Sequence, residues 1–201
     1  MINIDTAFRY RLKFYKSAGV SCHGFSKVLG HAVVEGGFNY VEKNNHPKLY
    51  VYLGAADGEE SETEISEIFL KAYAEPKDVE AKLASVFKSS GFVLKEVKLL
   101  PYSLSNIQNL VSHVCYKVKG VKGSINRALS LCPRSERGHL YSIERLDDDE
   151  VKIIMRINPS GSFSPVPELL KLLGLDVREG DYKATRLALY WVDKQGVLQS
   201  V

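Results

Sequence analysis

Hydrophobic and polar residues alternate along RYRLKFYK, near the start of the chain. Tyr10, Leu12 and Phe14 are separated by arginine and lysine residues, and a period of two is typical of a strand with one buried face. The next segment, GFSKVLGHAVVEGG, has its apolar residues on one helical stripe and ends in a glycine pair that would cap a helix. The stripe comprises Phe25, Val28, Leu29, Ala32 and Val33. The pattern predicts a strand followed by a helix.

The rest of the first half continues as strand, strand, helix, strand. KLYVYLGA and SETEISEIFLKAY are rich in β-forming residues and flank the turn sequence Asp57-Gly58, which predicts an antiparallel pair. PKDVEAKLASVFKSSG opens with Pro76 and repeats apolar residues at helical spacing, and FVLKEVKLL returns to strand character. The order βαββαβ is that of a ferredoxin-like unit.

The second half repeats this order after a seam near residues 101–110. Its predicted strands are VSHVCYKVKG, the hairpin HLYSIERLD and EVKIIMRIN, and TRLALYWVD. Its predicted helices are GSINRALSLC and SPVPELLKLLG. The sequence therefore predicts an α+β protein of two tandem ferredoxin-like (βαββαβ) units with antiparallel sheets, residues 1–105 and 106–201.

Composition places the chain in the ordinary globular class, with 201 residues, 45% hydrophobic and 25% charged. MINIDTAFRY lacks the apolar run of a secretory signal, and no later stretch approaches the ~20 apolar residues of a membrane span. We therefore expect a cytoplasmic protein without a membrane partner. Cys22, Cys115 and Cys132 are far apart and form no CxxC pair, so we interpret them as ordinary small apolar residues.

The net charge of +3 is only mildly basic, but the first strand concentrates basic residues. Its outward positions would place Arg9, Arg11 and Lys13 in a stripe beside Tyr15, with Lys16 next along the chain. Such a stripe suits an RNA backbone with a base stacked on the ring, and it is equally typical of a solvated sheet face. The four basic residues are the predicted RNA-binding residues.

Five glutamates lie within nine residues of the segment GEESETEISEIFL. Strand spacing would put Glu60, Glu62 and Glu64 on one face about 6.6 Å apart. Carboxylates so spaced do not converge on one cation, so we predict a solvated hairpin end and no metal site. Glu64 and Glu67 lie nearest to where the strand enters the core, and they are kept as catalytic candidates.

Histidines supply the other catalytic candidates. His23 precedes the first helix, where an imidazole could contact a ligand or complete a cap, and His46 lies in the loop NNHPK, where it could equally be solvated. His31, His113 and His139 have no partner at ligand spacing. No Ser-His-Asp order, P-loop or GxGxxG follows a predicted strand, so nucleotide chemistry of the familiar kinds is not indicated.

Two further residues are candidate ligand contacts, Asn39 in GGFN and Ser164 in GSFSP. Ser164 begins a predicted helix, where free N–H groups could bind a phosphate or simply be capped. The segment Gly37–Lys48 is long for a connector and rich in side chains that bond to backbone. We predict that it folds back over the sheet and brings Asn39 or His46 within reach of His23 or Glu64, in a cleft of mixed charge.

An ordered set of segments resembles the radical SAM-linked domain family, a domain of unknown function fused to, or encoded beside, radical SAM proteins. The segments are RLKFYKSAG, CHGF, GGFN, HPKL, SETEISEIFL, SLSNIQNL, GSFSPVPELLKLLGL and TRLALYWVD. Glu64 and Glu67 match the family's two acidic positions. The chain departs from the family where CHGF keeps His23 but lacks the acid of a Ser-His-Leu-Asp type tetrapeptide, and where Tyr40 replaces a proline.

The resemblance and the basic strand together imply an accessory or RNA-binding protein linked to a radical SAM partner, acting in tRNA or other RNA modification. No CxxxCxxC triad is present, so the chain would not hold an iron-sulfur cluster, and we expect no cofactor and no independent enzymatic activity. The alternatives are a metal-independent RNA-processing endonuclease of the tandem ferredoxin-like type, with His23 or His46 as general base, and a non-catalytic protein-interaction scaffold. The oligomeric state is left open.

Overall fold

The structure is a computed structural model that describes residues 7–52, 54–56, 58–87, 90–101, 111–120, 126, 140–157 and 183–201. The chain divides into two compact units, Met1–Asn106 and Ile107–Val201. Within the described ranges, every strand pairing found inside a unit is antiparallel.

The two helices found among the described residues, α1 and α2, both belong to the first unit. Its elements are β1 (Phe8–Lys16), α1 (Phe25–Glu35), β2 (Glu42–Lys43), β3 (His46–Pro47), β4 (Leu49–Tyr52), β5 (Glu60–Leu70), α2 (Pro76–Phe87) and β6 (Phe92–Leu100). The strands of its main sheet lie in the order β6-β1-β5-β4, and β2 and β3 form a separate hairpin. The predicted strands and helices of this half are thus confirmed as elements.

The core of the first unit lies between this sheet and the two helices. Tyr10, Leu12 and Phe14 are fully buried on β1, as the alternation predicts. The Phe14 ring meets Phe25 of α1 and Phe87 of α2 edge to face, at centroid distances of 5.1 and 4.9 Å. Edge-to-face pairs at this separation add to the free energy gained from burial. Both helices therefore cover the even-numbered face of β1.

The second unit is described mainly through its strands. These are β7 (His113–Lys119), β8 (Leu140–Asp147), β9 (Glu150–Arg156), β10 (Lys183–Val192) and β11 (Leu198–Ser200). They lie in the order β11-β10-β7-β9-β8, and the predicted hairpin of β8 and β9 is confirmed. Alternate residues of β9, including Val151, Ile153 and Met155, are buried, which fits a strand with one face toward a core.

The prediction of two tandem ferredoxin-like units is wrong. The described residues are mostly strand, both helices of defined extent belong to the first unit, and β2, β3 and β11 were not predicted. The predicted helices of the second half, apart from Asn126, lie outside the described residues. The physical reason for the error is that an equal order of periodic segments does not fix strand pairing, which depends on contacts between distant residues.

Candidate functional site

The predicted basic stripe on β1 is arranged around one buried carboxylate. Glu67 is fully buried and lies opposite Arg11 in the pairing of β1 with β5. Its Oε2 atom lies 2.6 Å from Nη2 of Arg9 and its Oε1 atom 3.1 Å from Nη2 of Arg11. The arginine side chains are 14% and 16% exposed. Arg9 and Arg11 therefore lie on the predicted side of the strand, but their guanidinium groups form ion pairs with Glu67.

Tyr52 completes the cluster, because its hydroxyl donates a hydrogen bond of 3.0 Å to Oε2 of Glu67. Burial and the neighbouring Glu67 charge raise the pKa of Tyr52 above its ordinary value. A carboxylate already bonded to two guanidinium groups and a phenol has little capacity left for a ligand. The four residues are best described as an internal ion cluster, and Glu67 does not fit the role of a solvent-accessible catalytic acid or base.

Lys16 also differs from its predicted surface role. It is fully buried, and its ammonium donates hydrogen bonds to the backbone carbonyls of Ala56, at 3.2 Å, and Glu59, at 2.5 Å. Lys13 and Tyr15 remain partly exposed. They line a shallow polar cleft of about 600 Å³ together with Glu62, Lys95 and Glu96. Of the predicted RNA-binding residues, only Lys13 keeps a side chain directed at an open surface.

The prediction that most of the five glutamates are solvent-facing is wrong. Glu62 is exposed and Glu60 half-buried, whereas Glu59, Glu64 and Glu67 are buried. The reason is that β5 is paired with β1 on one edge and with β4 on the other, so arginines of β1 and Tyr52 of β4 enclose Glu67. A strand in this position must satisfy its polar side chains internally.

Glu64 forms a second buried polar cluster, near the start of α1. Glu64 is 2% exposed. Its Oε1 atom accepts a hydrogen bond of 3.2 Å from the backbone N–H of Ala55. Its Oε2 atom accepts one of 3.6 Å from the Cys22 thiol. His23 is exposed, and the N-cap of α1 is Gly24, which is in the left-handed conformation and provides no side-chain cap. The structure thus joins Glu64 to Cys22, and His23 does not complete a helix cap.

Close packing at Gly54 makes this cluster sensitive to one added methyl group. A Cβ atom at Gly54 would lie 2.8 Å from Cβ of Cys22, so we expect Gly54→Ala to lower the free energy of unfolding by about 1–2 kcal/mol. Gly30→Ala is the matched control: its Cβ would lie 3.6 Å from Leu49, an ordinary contact, and alanine favours the helix by up to ~1 kcal/mol. Urea unfolding should give opposite signs for the two variants. A neutral Gly54→Ala would show that the loop moves freely away from α1.

The segment Gly37–Lys48 contains the β2–β3 hairpin, and its first residues are bonded to the end of β5. The backbone carbonyl of Asn39 accepts a hydrogen bond of 2.6 Å from the backbone N–H of Lys71. Tyr40 forms an isolated antiparallel β-bridge with Leu70. These contacts lie six residues along β5 from Glu64, which corresponds to ~20 Å. The predicted meeting of Asn39 with Glu64 is therefore wrong.

The turn between β2 and β3 explains why this segment is compact. Asn44 and Asn45 have φ values of 54° and 63°. Asparagine tolerates this left-handed region, and two consecutive residues in it are typical of a tight hairpin turn. The turn places Lys43 directly opposite His46. The Asn-Asn pair was the feature of the sequence that could have indicated this hairpin.

His46 instead contributes to an open groove between α1 and the β2–β3 hairpin. The groove encloses about 650 Å³. Lys27, His31 and Val34 of α1 form one wall, and Lys43 and His46 form the other. Pro47 and Leu49 add apolar surface, Ser26 and Asn44 add neutral polar groups, and none of the described lining residues is acidic. We define these residues as the α1–hairpin groove.

Three lysines give the groove its positive charge, and two of them are exposed. Lys27 and Lys43 are exposed. Lys48 also borders the groove, but its ammonium lies 4.4 Å from the centre of the Phe69 ring, and burial followed by the charges of Lys43 and Arg9 lowers its pKa. The nearest paired carboxylate is that of Glu35, whose Oε2 lies 3.4 Å from Nδ1 of His31. The groove is therefore a cationic site with an apolar floor.

The remaining candidates do not form a site in the described part of the chain. Ser164, His139 and Cys132 lie outside it. His113 is buried with Nδ1 2.9 Å from the Ser112 hydroxyl, and burial, followed by the charge of Arg156, lowers its pKa. Among the described residues, no group of three or more His, Cys, Asp or Glu side chains is arranged to hold a metal ion. Those residues also include no helix with the length and apolar character needed to cross a membrane.

Comparisons with known proteins were made for the whole chain. No protein-family model matches it, and no curated protein matches it. Among solved structures it is similar to a candidate glycine cleavage system transcriptional repressor, at 11% identity and a TM-score of 0.29, with 97% of this chain and 98% of that chain covered. It is also similar to an unknown protein from Galdieria sulphuraria, at 12% identity and a TM-score of 0.31, with 97% and 99% covered.

Proposed function

We propose that the protein is an RNA-binding accessory module and that the α1–hairpin groove is its RNA contact. The observation that supports this most is the composition of the groove. It combines two exposed lysines and two histidines with apolar surface from Val34, which is 49% exposed, and Leu49. Single-stranded nucleic acid is bound where cationic groups meet phosphates and an apolar surface receives a base.

The groove replaces the β1 stripe as the proposed contact. Arg9 and Arg11 are bonded to Glu67, and Lys16 is buried, so three of the four predicted contacts are directed inward. Lys27 and Lys43 of the groove come from two elements, are exposed, and form no ion pair with a described carboxylate. RNA recognition by this unit therefore does not require opening of its core.

The radical SAM partner, the role in RNA modification and the cytoplasmic location remain part of this proposal. The radical SAM partner and the role in RNA modification are supported by the resemblance carried by the ordered segments from RLKFYKSAG to TRLALYWVD. The RNA-processing endonuclease alternative assumed a tandem ferredoxin-like fold, which the structure contradicts. The scaffold alternative predicts no RNA affinity, so the experiment below distinguishes it.

Binding of a fluorescent single-stranded RNA of about ten nucleotides tests the proposal. Each neutralised phosphate contributes about −0.7 to the slope of log K against log salt for single strands, so two groove lysines predict a slope of about −1.4. Lys27→Gln and Lys43→Gln should each reduce the magnitude by about 0.7 and weaken binding at low salt about fivefold, the equivalent of ~1 kcal/mol. Fluorescence anisotropy titrations between 25 and 200 mM salt, as an approximate range, measure both quantities.

The matched control is Lys77→Gln, which neutralises an exposed lysine on α2, outside the groove. Its salt slope and affinity should equal those of the wild type. If all three variants weaken binding equally, the attraction is general and the groove is not the site. If the wild type shows no binding at the lowest salt, the RNA proposal fails and the scaffold interpretation gains support.

A further inference from the structure

We propose that the α1–hairpin groove recognises a phosphate monoester, such as the terminal phosphate of an RNA strand, rather than internal phosphodiesters. This inference rests on the proposed function and specifies its ligand. It is carried by the placement of two lysine–histidine pairs on the facing walls of one groove.

The first pair belongs to the helix wall. Lys27 and His31 are four residues apart on α1, so their Cβ atoms lie about 6 Å apart on one helical face. The second pair belongs to the hairpin wall, where Lys43 and His46 are direct cross-strand partners, with Cβ atoms about 5 Å apart. Each wall therefore offers one ammonium and one imidazole to the same space.

This arrangement fits a compact dianion better than an extended chain of single charges. A phosphate monoester carries ~−1.5 to −2 at neutral pH and three acceptor oxygens, whereas each internal phosphodiester carries one negative charge. Lys27 and Lys43 supply two positive charges, one from each wall. Cationic groups for an extended backbone would instead follow one another along a surface, as the predicted β1 stripe would have done.

The size and floor of the groove agree with a terminal nucleotide. Its volume of about 650 Å³ is within the range of ~300–1,000 Å³ found for small-molecule sites. Val34 and Leu49 provide an apolar surface for the base or sugar next to the phosphate.

The charged groups around the site set the expected effects of substitution. Glu35 is the carboxylate nearest to His31, and Glu42 neighbours Lys43 in sequence but pairs with Pro47 on the hairpin. Strand alternation turns the Glu42 side chain away from that of Lys43. Glu35→Gln should therefore strengthen phosphate binding, whereas Lys43→Gln should weaken it. Two exposed substitutions with opposite effects are hard to attribute to damage to the fold.

The experiment compares three versions of one short single-stranded RNA, with a 5′-phosphate, with a 3′-phosphate, and with hydroxyl groups at both ends. We expect at least one phosphorylated version to bind about fivefold or more tightly than the dihydroxyl version, and the two phosphorylated versions identify which end is bound. The ratio of the affinity for the preferred phosphorylated RNA to that for the dihydroxyl RNA is the quantity compared among variants. Lys43→Gln should bring this ratio close to one, Glu35→Gln should increase it, and Lys77→Gln should leave it unchanged. A nucleoside monophosphate should displace the preferred RNA.

Two outcomes would overturn the inference, and they differ in meaning. Equal binding of all three RNAs, with the salt slope described above, would reject monoester recognition while leaving RNA binding intact. A phosphate preference that Lys43→Gln and Glu35→Gln do not change would place monoester recognition elsewhere on the protein. Absence of binding by any RNA would instead reject the proposed function itself.

Discussion

Replacing Glu67 with glutamine is expected to lower the free energy of unfolding by about 3 kcal/mol, because it removes the charge that holds Arg9, Arg11 and Tyr52 together. Glutamine keeps the size of the side chain, so no cavity contributes to the loss. The amide group would place N–H donors where two guanidinium groups and a phenol also donate. Two largely buried positive charges would then lack their counter-charge.

The control for this prediction is Glu62→Gln on the same strand. Glu62 is exposed, and its neutralisation should change the free energy of unfolding by less than about 0.5 kcal/mol. Urea unfolding followed by circular dichroism gives both values by linear extrapolation. A double variant, Arg11→Gln with Glu67→Gln, should lose less than the sum of the single losses, since the two groups are in contact. A loss below about 1 kcal/mol for Glu67→Gln would show that water readily replaces the carboxylate.

Local periodicity was sufficient to predict six elements of the first unit, whereas the short strands β2 and β3 were missed. Phe14 and its even-numbered neighbours on β1 are buried, and so are Phe25, Leu29, Ala32 and Val33 on the predicted helical stripe. These patterns depend on residues two to four positions apart, which a single sequence shows directly. The pairing of strands could not be predicted in this way, because Arg11 and Glu67 are in contact although they lie 56 residues apart in the sequence.

The same limitation explains the error about the glutamates. A segment with five glutamates is normally solvated, since burying an unpaired carboxylate is costly. Glu64 and Glu67 are buried because Cys22, Ala55 and the two arginines of β1 reach them from other elements. The sequence contains all of these partners, but only the register of β1 against β5 shows which groups meet.

The α1–hairpin groove was missed for a related reason. His31 and His46 were judged separately in the sequence, and neither has a partner at ligand spacing along the chain. They line one space because the Asn44-Asn45 turn closes the hairpin that carries His46. The two consecutive asparagines were the local feature that pointed to this geometry.

Lys16→Met is expected to lower the free energy of unfolding by about 2 kcal/mol without any direct effect on RNA contacts. The ammonium is fully buried and donates to the carbonyls of Ala56 and Glu59, so its removal leaves acceptors unsatisfied. Strand parity supports this role, since Lys16 follows Tyr10, Leu12 and Phe14 on the buried face of β1. Grouping it with Arg9, Arg11 and Lys13 as an RNA contact overlooked that parity.

Lys13→Met provides the matched comparison, because Lys13 lies on the opposite face of the same strand and is partly exposed. Its free energy of unfolding should change by less than about 0.5 kcal/mol. Thermal and urea unfolding should separate the two variants, while RNA affinity measured well below the unfolding transition should be unchanged for Lys16→Met. If Lys16→Met instead kept full stability and lost RNA affinity, its ammonium would have to reach the surface. The buried hydrogen bonds that hold it beneath the β4–β5 connection would then not persist in solution.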